Sequence, residues 1–288
     1  MATWTHAHGR RTAMLPRDGQ LMVSTDLHGN LEDFEALRDR FLARVERGED
    51  VHWALLGDLV HGPDDQARCD EPALYDFDDR SWEVVEGVIG LREAWPGRVH
   101  LVLGNHDHGH VGGPVLTKFH ADEALHLEGL LDDRRIDSMA RLFRSALLLL
   151  LAPCGVALCH GSPDDSLRDP AQLDRLSLDP ARNDAPGNAL LRSILTSYGQ
   201  PRDVTERVLR NLSRATGLDL GLIVHGHDRD LHGWFVEGGN QLCPVVFGAL
   251  REHKRFLLLD LAATYRAAAD IREGRELLWL HGPRAAGG

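Results

Sequence analysis

The chain has 288 residues, 43% hydrophobic and 26% charged, an ordinary balance for a globular protein with room for one large α/β domain or two small ones. Its formal net charge of -12 argues against a surface built to neutralise nucleic-acid phosphates, and its longest apolar run, residues 146–152, is too short to span a bilayer. The four cysteines, Cys69, Cys154, Cys159 and Cys243, form no Cys-x-x-Cys pair, so neither a zinc ribbon nor a redox dithiol is expected, and reduced thiols in a cytoplasmic setting are.

In chain order, residues 1–19 read as a flexible lead without the apolar core of a signal peptide. Leu21 to Thr25 predicts a strand that ends in Asp26-Leu27-His28-Gly29-Asn30. Leu31, Phe34, Leu37 and Phe41 then fall at helical spacing, and this helix ends near Gly48. Asp26 and His28 stand two apart, so in extended backbone both side chains aim at one point, which suits a divalent cation. A turn with an N-capping Asp is the alternative for this stretch alone. Val51 to Leu56 predicts a second strand, ending in Gly57-Asp58, and an acidic, irregular stretch runs from there to Arg80. Ser81 to Trp95 predicts a helix that buries Trp82, Val85, Ile89 and Trp95 and stops at Pro96-Gly97. Leu101 to Leu103 predicts a third strand, closed by Gly104, after which Asn105, His106, Asp107 and His108 crowd polar groups onto its end. Strand, helix, strand, helix, strand is two βαβ units and a parallel sheet, and open α/β sheets place their sites at the carboxyl ends of strands.

Residues 125–131 and 136–143 predict helices, the first a candidate lid, and His108 and His110 stand close enough to Asn105 to line a pocket with it. Leu147 to Leu151 and Val156 to Cys159 predict a hairpin turned at Pro153 and Gly155, and its second strand ends in His160-Gly161-Ser162-Pro163. Helices are expected over 190–198 and 204–212. Gly221 to Val224 predicts a strand ending in His225-Gly226-His227-Asp228-Arg229. Residues 241–247 and 255–261 predict antiparallel strands of a second sheet, with 276–280 a last strand and the tail from Gly282 disordered. With no repeat, low-complexity block or linker, residues 20–281 read as one domain.

Five predicted strands thus end in Asp-x-His, Gly-Asp, Gly-Asn-His-Asp, His-Gly and Gly-His. Each fragment alone is weak, and the ordered set is strong. Through STDLHGNLEDFEAL, LLGDLV, LGNHD and ALCHGSP in that order, the chain resembles the calcineurin-like metallophosphoesterase superfamily, and within it the phosphoprotein phosphatase branch. The resemblance implies an α/β fold, a four-layer α/β/β/α sandwich with two mixed β-sheets. It implies that Asp26 and His28 hold a first metal, that Asp58 bridges both, and that Asn105, His160 and His227 complete a second. Oxygen and imidazole donors suit divalent Mn²⁺, the expected ion, with Fe or Zn²⁺ as alternatives. A hydroxide bridging the metals would attack phosphorus in line, with His106 as the general acid on the leaving oxygen.

The sequence departs from the branch after Asp58, where Asp-Arg-Gly is usual and His61-Gly62-Pro63 stands here. The expected carboxylate partner of His106 and the expected phosphate-binding Arg are both missing. Asp107, Asp64 and Asp65 are candidates for the first role, and Arg229, Arg68 and Arg202 for the second. The expected function is a binuclear-metal phosphomonoesterase of Ser/Thr protein phosphatase type acting on a phosphorylated substrate, with no nucleic-acid or membrane partner. The alternatives are a small-molecule phosphodiesterase or dinucleoside-polyphosphate hydrolase of the same fold, and a metal-binding scaffold with decayed catalysis.

Overall fold

The structure, a computed structural model, describes residues 11–282, so the first ten residues of the expected lead and the expected tail after Gly282 lie outside the described residues. Its strands are β1 (Thr12–Met14), β2 (Gln20–Ser24), β3 (Val51–Leu55), β4 (Val99–Leu101), β5 (Leu149–Ala152), β6 (Val156–Leu158), β7 (Leu222–Val224), β8 (Trp234–Glu237), β9 (Gln241–Pro244), β10 (Arg255–Asp260) and β11 (Leu277–Trp279). They form a six-stranded sheet in the order β1-β5-β6-β7-β9-β8 and a five-stranded sheet in the order β11-β10-β2-β3-β4. In the second sheet β2, β3 and β4 are parallel and β10 is antiparallel to both of its neighbours, β2 and β11; in the first, β5–β6 and β8–β9 are antiparallel and the remaining pairs parallel.

The helices are α1 (Leu31–Glu46), α2 (Asp65–Asp70), α3 (Pro72–Tyr75), α4 (Ser81–Ala94), α5 (Asn105–Gly109), α6 (Glu123–Gly129), α7 (Asp133–Arg144), α8 (Pro170–Asp174), α9 (Ala185–Thr196) and α10 (Arg202–Thr216). Strand alternation sorts the layers. Leu21, Val23, Ala54, Leu150, Leu158, Val224 and Leu257 fill the core between the sheets. Their neighbours Met22, Trp53, Leu55, Leu149, Leu151 and Ile223 face outward into a core shared with the helices. Helices α1 and α4 cover β3 and β4, and α10 lies on β7. Helix α1 starts where Asn30 accepts a hydrogen bond from Asp33 N at 3.0 Å, with Glu32 and Asp33 in its first turn, and its buried Phe34 and Phe41 pack on Trp53 with ring centroids 6.0 and 5.8 Å away. The result is the expected sandwich of two mixed sheets between helical layers.

Several local expectations are corrected. Thr12–Met14 is a strand rather than part of a lead, because its backbone finds β5 as a parallel partner at the edge of the first sheet. The stretch after Asp58 contains α2 and α3, each a short helix started by a local device, the Asp64 N-cap and Pro72. The buried face of α4 is Val84, Val85, Val88 and Leu91, with Trp82, Ile89 and Trp95 at its margin. The third strand is Val99–Leu101, slightly earlier than expected, since Asn105 already opens α5. Strand β8 was not expected, and β9 and β10 belong to different sheets. β10 pairs with β2, nearly the whole chain away, a partnership no local pattern encodes.

A buried pin holds α1 against the end of the described chain. The Asp33 carboxylate accepts from Lys254 Nζ, just before β10, and meets His281 Nε2 at 2.7 Å, just after β11. Burial pushes Asp33 up, but Lys254 and His281 outweigh it and hold the carboxyl below its ordinary value. Removing one member leaves a buried, unpaired charge, so Asp33→Ala is expected to lose about 3–5 kcal/mol of unfolding free energy in urea titrations near neutral pH. Because the folded value is depressed, Asp33 stabilises above the unfolded carboxyl value of about 3.9, and that contribution is lost as pH falls through the folded value. The gap between wild type and variant is therefore expected to narrow below about pH 4.

Candidate metal centre

Five strand ends converge. Asp26 and His28 follow β2, Asp58 follows β3, Asn105 opens α5 after β4, His160 follows β6 and His227 follows β7. The first three strands belong to one sheet and the last two to the other, so the site lies where the carboxyl ends of both sheets meet. The turns are sharp. Among the described residues, non-glycine backbone in the left-handed region is confined to His28 (φ 45°), Asp58 (φ 51°), His61 (φ 72°) and His227 (φ 69°). Such backbone costs about 1–3 kcal/mol per residue and persists where surrounding structure over-determines it. Gly104 is required for a different reason: its backbone is extended, but a Cβ there would overlap Asp58.

Asp58 stands at the middle. Its carbonyl accepts from Leu27 N at 2.8 Å and His28 N at 2.9 Å, tying the β2 turn to the β3 turn. Its carboxylate accepts from His106 N at 2.8 Å and lies 3.6 Å from His28 Nε2 and 3.4 Å from His160 Nε2. His28 Nδ1 faces the His61 carbonyl at 3.0 Å, and His160 Nδ1 faces the Leu56 carbonyl at 2.6 Å. Each backbone oxygen anchors an Nδ1, so both rings turn Nε2 toward the site, the arrangement that orients metal-ligating histidines. Asn105 Oδ1 lies 3.0 Å from His160 Nε2, and both Asp26 oxygens accept from His227 N at 3.1 Å. Asp58 shares one compact cluster of ligand atoms with His28 and His106, and a second with His160 and His227.

The charge balance fits cations. Burial and the neighbouring Asp58 push Asp26 up to about 6. Burial lowers His227 to about 4 and takes His28 well below its usual value, leaving both imidazoles neutral and free to ligate. Burial works against the proton of His160 too, yet Asp58 and Asp26 raise that group to about 10. The proton on His160 answers two buried carboxylates, and a metal ion bound there would take that proton's place. The residues present therefore suit divalent ions held by nitrogen and oxygen.

His106 is buried with its ring in edge contact with His28, centroids 4.5 Å apart. Its carboxylate partner is Glu123, at the start of α6, whose Oε2 lies 2.9 Å from His106 Nδ1 and 3.3 Å from His61 Nδ1. The two imidazoles outweigh burial and hold Glu123 below the ordinary carboxylate range. None of the three expected partners serves: Asp64 caps α2, Asp65 pairs with Arg68, and Asp107 is spent on backbone. The Asp107 carboxylate accepts from Asp58 N at 2.9 Å, Leu59 N at 2.9 Å and Gly104 N at 3.1 Å, and burial beside Asp58 pushes it up to about 7. The only sequence signal for Glu123 is an acidic residue at the first position of a helix, which ordinarily reads as dipole compensation. His110 lies behind this group, Nε2 at 2.9 Å from His61 Nε2, whereas His108 turns away to the Leu178 carbonyl at 2.6 Å.

Of the expected phosphate-binding arginines, Arg229 donates to Tyr75 Oη at 2.7 Å, and the Tyr75 ring stacks on Phe247, which packs 4.0 Å from the His28 ring. Arg68 pairs with Asp78 and Arg202 with Glu206, both away from the cluster. Asp107→Ala would leave three buried N–H groups without an acceptor at about 1–3 kcal/mol each. Metal-stripped Asp107→Ala is expected to unfold at least about 3 kcal/mol more easily in urea; a side chain serving only catalysis would leave stability within about 0.5 kcal/mol.

Residues 19–229 match the family model of the calcineurin-like phosphoesterases. No curated protein matches the chain in sequence. Among solved structures, a protein serine/threonine phosphatase from Saccharomyces cerevisiae with similarity to human phosphatase PP5 is 16% identical, with a TM-score of 0.58 over 88% of this chain and 76% of that one. A cold-active protein-tyrosine phosphatase of a psychrophilic Shewanella species is also 16% identical, with a TM-score of 0.54 over 88% of this chain and 78% of that one. These likenesses carry the fold, and the family match carries the chemistry: the chain belongs to the calcineurin-like phosphoesterase family and is a phosphoric ester hydrolase.

Proposed function

We propose that the chain is a two-metal phosphomonoesterase of the Ser/Thr protein phosphatase type. The observation that carries this reading is that Asp58 belongs to both ligand clusters at once, one with His28 and one with His160 and His227. Asp26 and His28 would hold one ion, Asn105, His160 and His227 the other, and Asp58 both. Ions held there supply positive charge to phosphoryl oxygens and acidify a water for in-line attack on phosphorus. Mn²⁺ is the ion of choice for this donor set, with Fe and Zn²⁺ as alternatives.

The chain's own residues do the rest. His106 holds a proton on the ring nitrogen turned away from Glu123 and gives it to the leaving oxygen. Glu123 fixes the orientation of the ring. No cysteine serves as nucleophile: burial raises the thiols of Cys159 and Cys243 and takes Cys154 up to about 12, while Cys69 is exposed on α2. These free thiols accord with a cytoplasmic location. Among the described residues no helix is long and apolar enough to cross a membrane.

A second reading, a small-molecule phosphoester, is favoured by Tyr198. That ring is 62% exposed and stands 5.0 Å from the His227 ring, an open stacking face beside the ligand cluster.

Two variants and two esters test the reading. Mn²⁺-loaded wild type is expected to prefer a chromogenic phosphomonoester to its diester; the reverse preference would replace the first reading with the second. Asp58→Asn is expected to lose bound metal by elemental analysis and at least about 100-fold in turnover, the upper end of what loss of an outer partner alone costs. His106→Asn is expected to keep its metal and lose about 10²–10⁴ in turnover, most for poor leaving groups. Metal loss in that variant would make His106 a ligand instead.

A further inference from the structure

The chain has two lysines, Lys118 and Lys254, among its 32 basic residues. Lys254 is buried against Asp33. Lys118 lies in the connection between α5 and α6, five residues before Glu123, and is exposed. Its ammonium stands 4.5 Å from the centroid of the Phe247 ring and 5.1 Å from that of Phe119. Phe247 is the ring that packs on His28, and it also stacks with Tyr75, which holds Arg229. Lys118 therefore stands against the ring that packs on His28, and Arg229 reaches the same aromatic group through Tyr75. The charges that act on Lys118 are the carboxylates of Asp58, Asp26 and Glu123 and the guanidinium of Arg229. Among the described residues no hydrogen bond or ion pair engages its ammonium, whose partners are two ring faces.

We propose that Lys118, with Arg229, receives the non-bridging oxygens of the substrate's phosphoryl group and sets a preference for dianionic monoesters. The proposal rests on the assignment of the Asp26–His227 cluster as the phosphoester site. His61-Gly62-Pro63 carries neither a carboxylate nor a cation after Asp58. The α5–α6 connection brings both to the same place, Glu123 behind His106 and Lys118 over the cluster. An ammonium on a flexible stem offers three donors in any direction and binds phosphate as a point charge, which suits a group that must follow a phosphoryl unit through a change of geometry. An oxygen bearing an ester substituent offers one charge fewer, so a diester gains less from the same cation.

The test uses Mn²⁺-loaded wild type, Lys118→Met and Lys118→Arg, with inorganic phosphate as the probe. Phosphate affinity is measured by calorimetry, metal content by elemental analysis, and KM with p-nitrophenyl phosphate and its bis-ester. Lys118→Met is expected to weaken phosphate and raise the monoester KM on the order of 10-fold to 100-fold, the range for a hydrogen bond to a charged group, with metal content unchanged and the diester less affected. Lys118→Arg is expected to recover part of the loss. In wild type, phosphate is expected to protect Lys118 from an amine-reactive label read by mass spectrometry, an arm that needs neither turnover nor a variant. Unchanged phosphate affinity and unchanged labelling overturn the proposal. So does tighter metal binding in Lys118→Met with an unaltered KM, which would mean that the ammonium stands in for a metal's charge. If wild type hydrolyses neither ester while phosphate still protects Lys118, the substrate reading fails and the phosphate subsite stands.

Discussion

Asp58 is the constraint on which the centre depends. It sits at a sharp left-handed turn at the end of β3, and its backbone and side chain together reach the ends of β2, β4 and β6. Its carbonyl orders the Asp26–Asn30 turn, its N–H is taken by Asp107, and its carboxylate meets two imidazoles and the first turn of α5. A carboxylate buried this deeply is unfavourable alone. His160, His106 and His28 outweigh the burial and hold it well below its usual value, so the charges of the site are mutually required. Displacing any one of them leaves the rest uncompensated.

The strain follows from that geometry. Left-handed backbone at His28, Asp58, His61 and His227 destabilises the fold locally, and the cost is met by hydrogen bonds among the turns and by the packed sheets behind them. The two sheets interdigitate through one apolar core, and Trp53 locks α1 to the second sheet between Phe34 and Phe41. The Asp33–Lys254–His281 pin then fixes the same helix from its other side. Rigid elements thus hold a strained, highly charged end, which keeps ligand atoms preorganised rather than ordered by the ligand.

The region after Asp58 shows how one job moves between segments. A carboxylate behind His106 is needed wherever that ring is to hold a proton, and any chain segment that reaches the ring can provide it. Here α6 provides it from residue 123, well beyond His106 in the chain, while His61 and His110 fill the space between as neutral imidazoles lowered by burial. Asp107, next to His106 in sequence, points instead into the backbone N–H groups that hold the β3 and β4 turns together.

The sequence by itself determined the strands that end in polar residues and the six ligand candidates. Both are local patterns: an apolar run, a glycine or turn, then a carboxylate, amide or imidazole at a strand's carboxyl end. It also carried α1, whose amphipathic spacing and Asn30 cap are written within one segment. Tertiary structure alone decided which strands share a sheet, because the pairing of β10 with β2 and of β1 with β5 joins segments more than a hundred residues apart. It decided the role of Asp107, since adjacency in a helix says nothing of which way a carboxylate turns. It decided Glu123 and Lys118, whose surroundings in the chain are ordinary helix-start and loop residues. Their surroundings come from residues brought near in three dimensions, His61 and His106 for Glu123 and Phe247 for Lys118, and short-range sequence holds no record of distance across a fold.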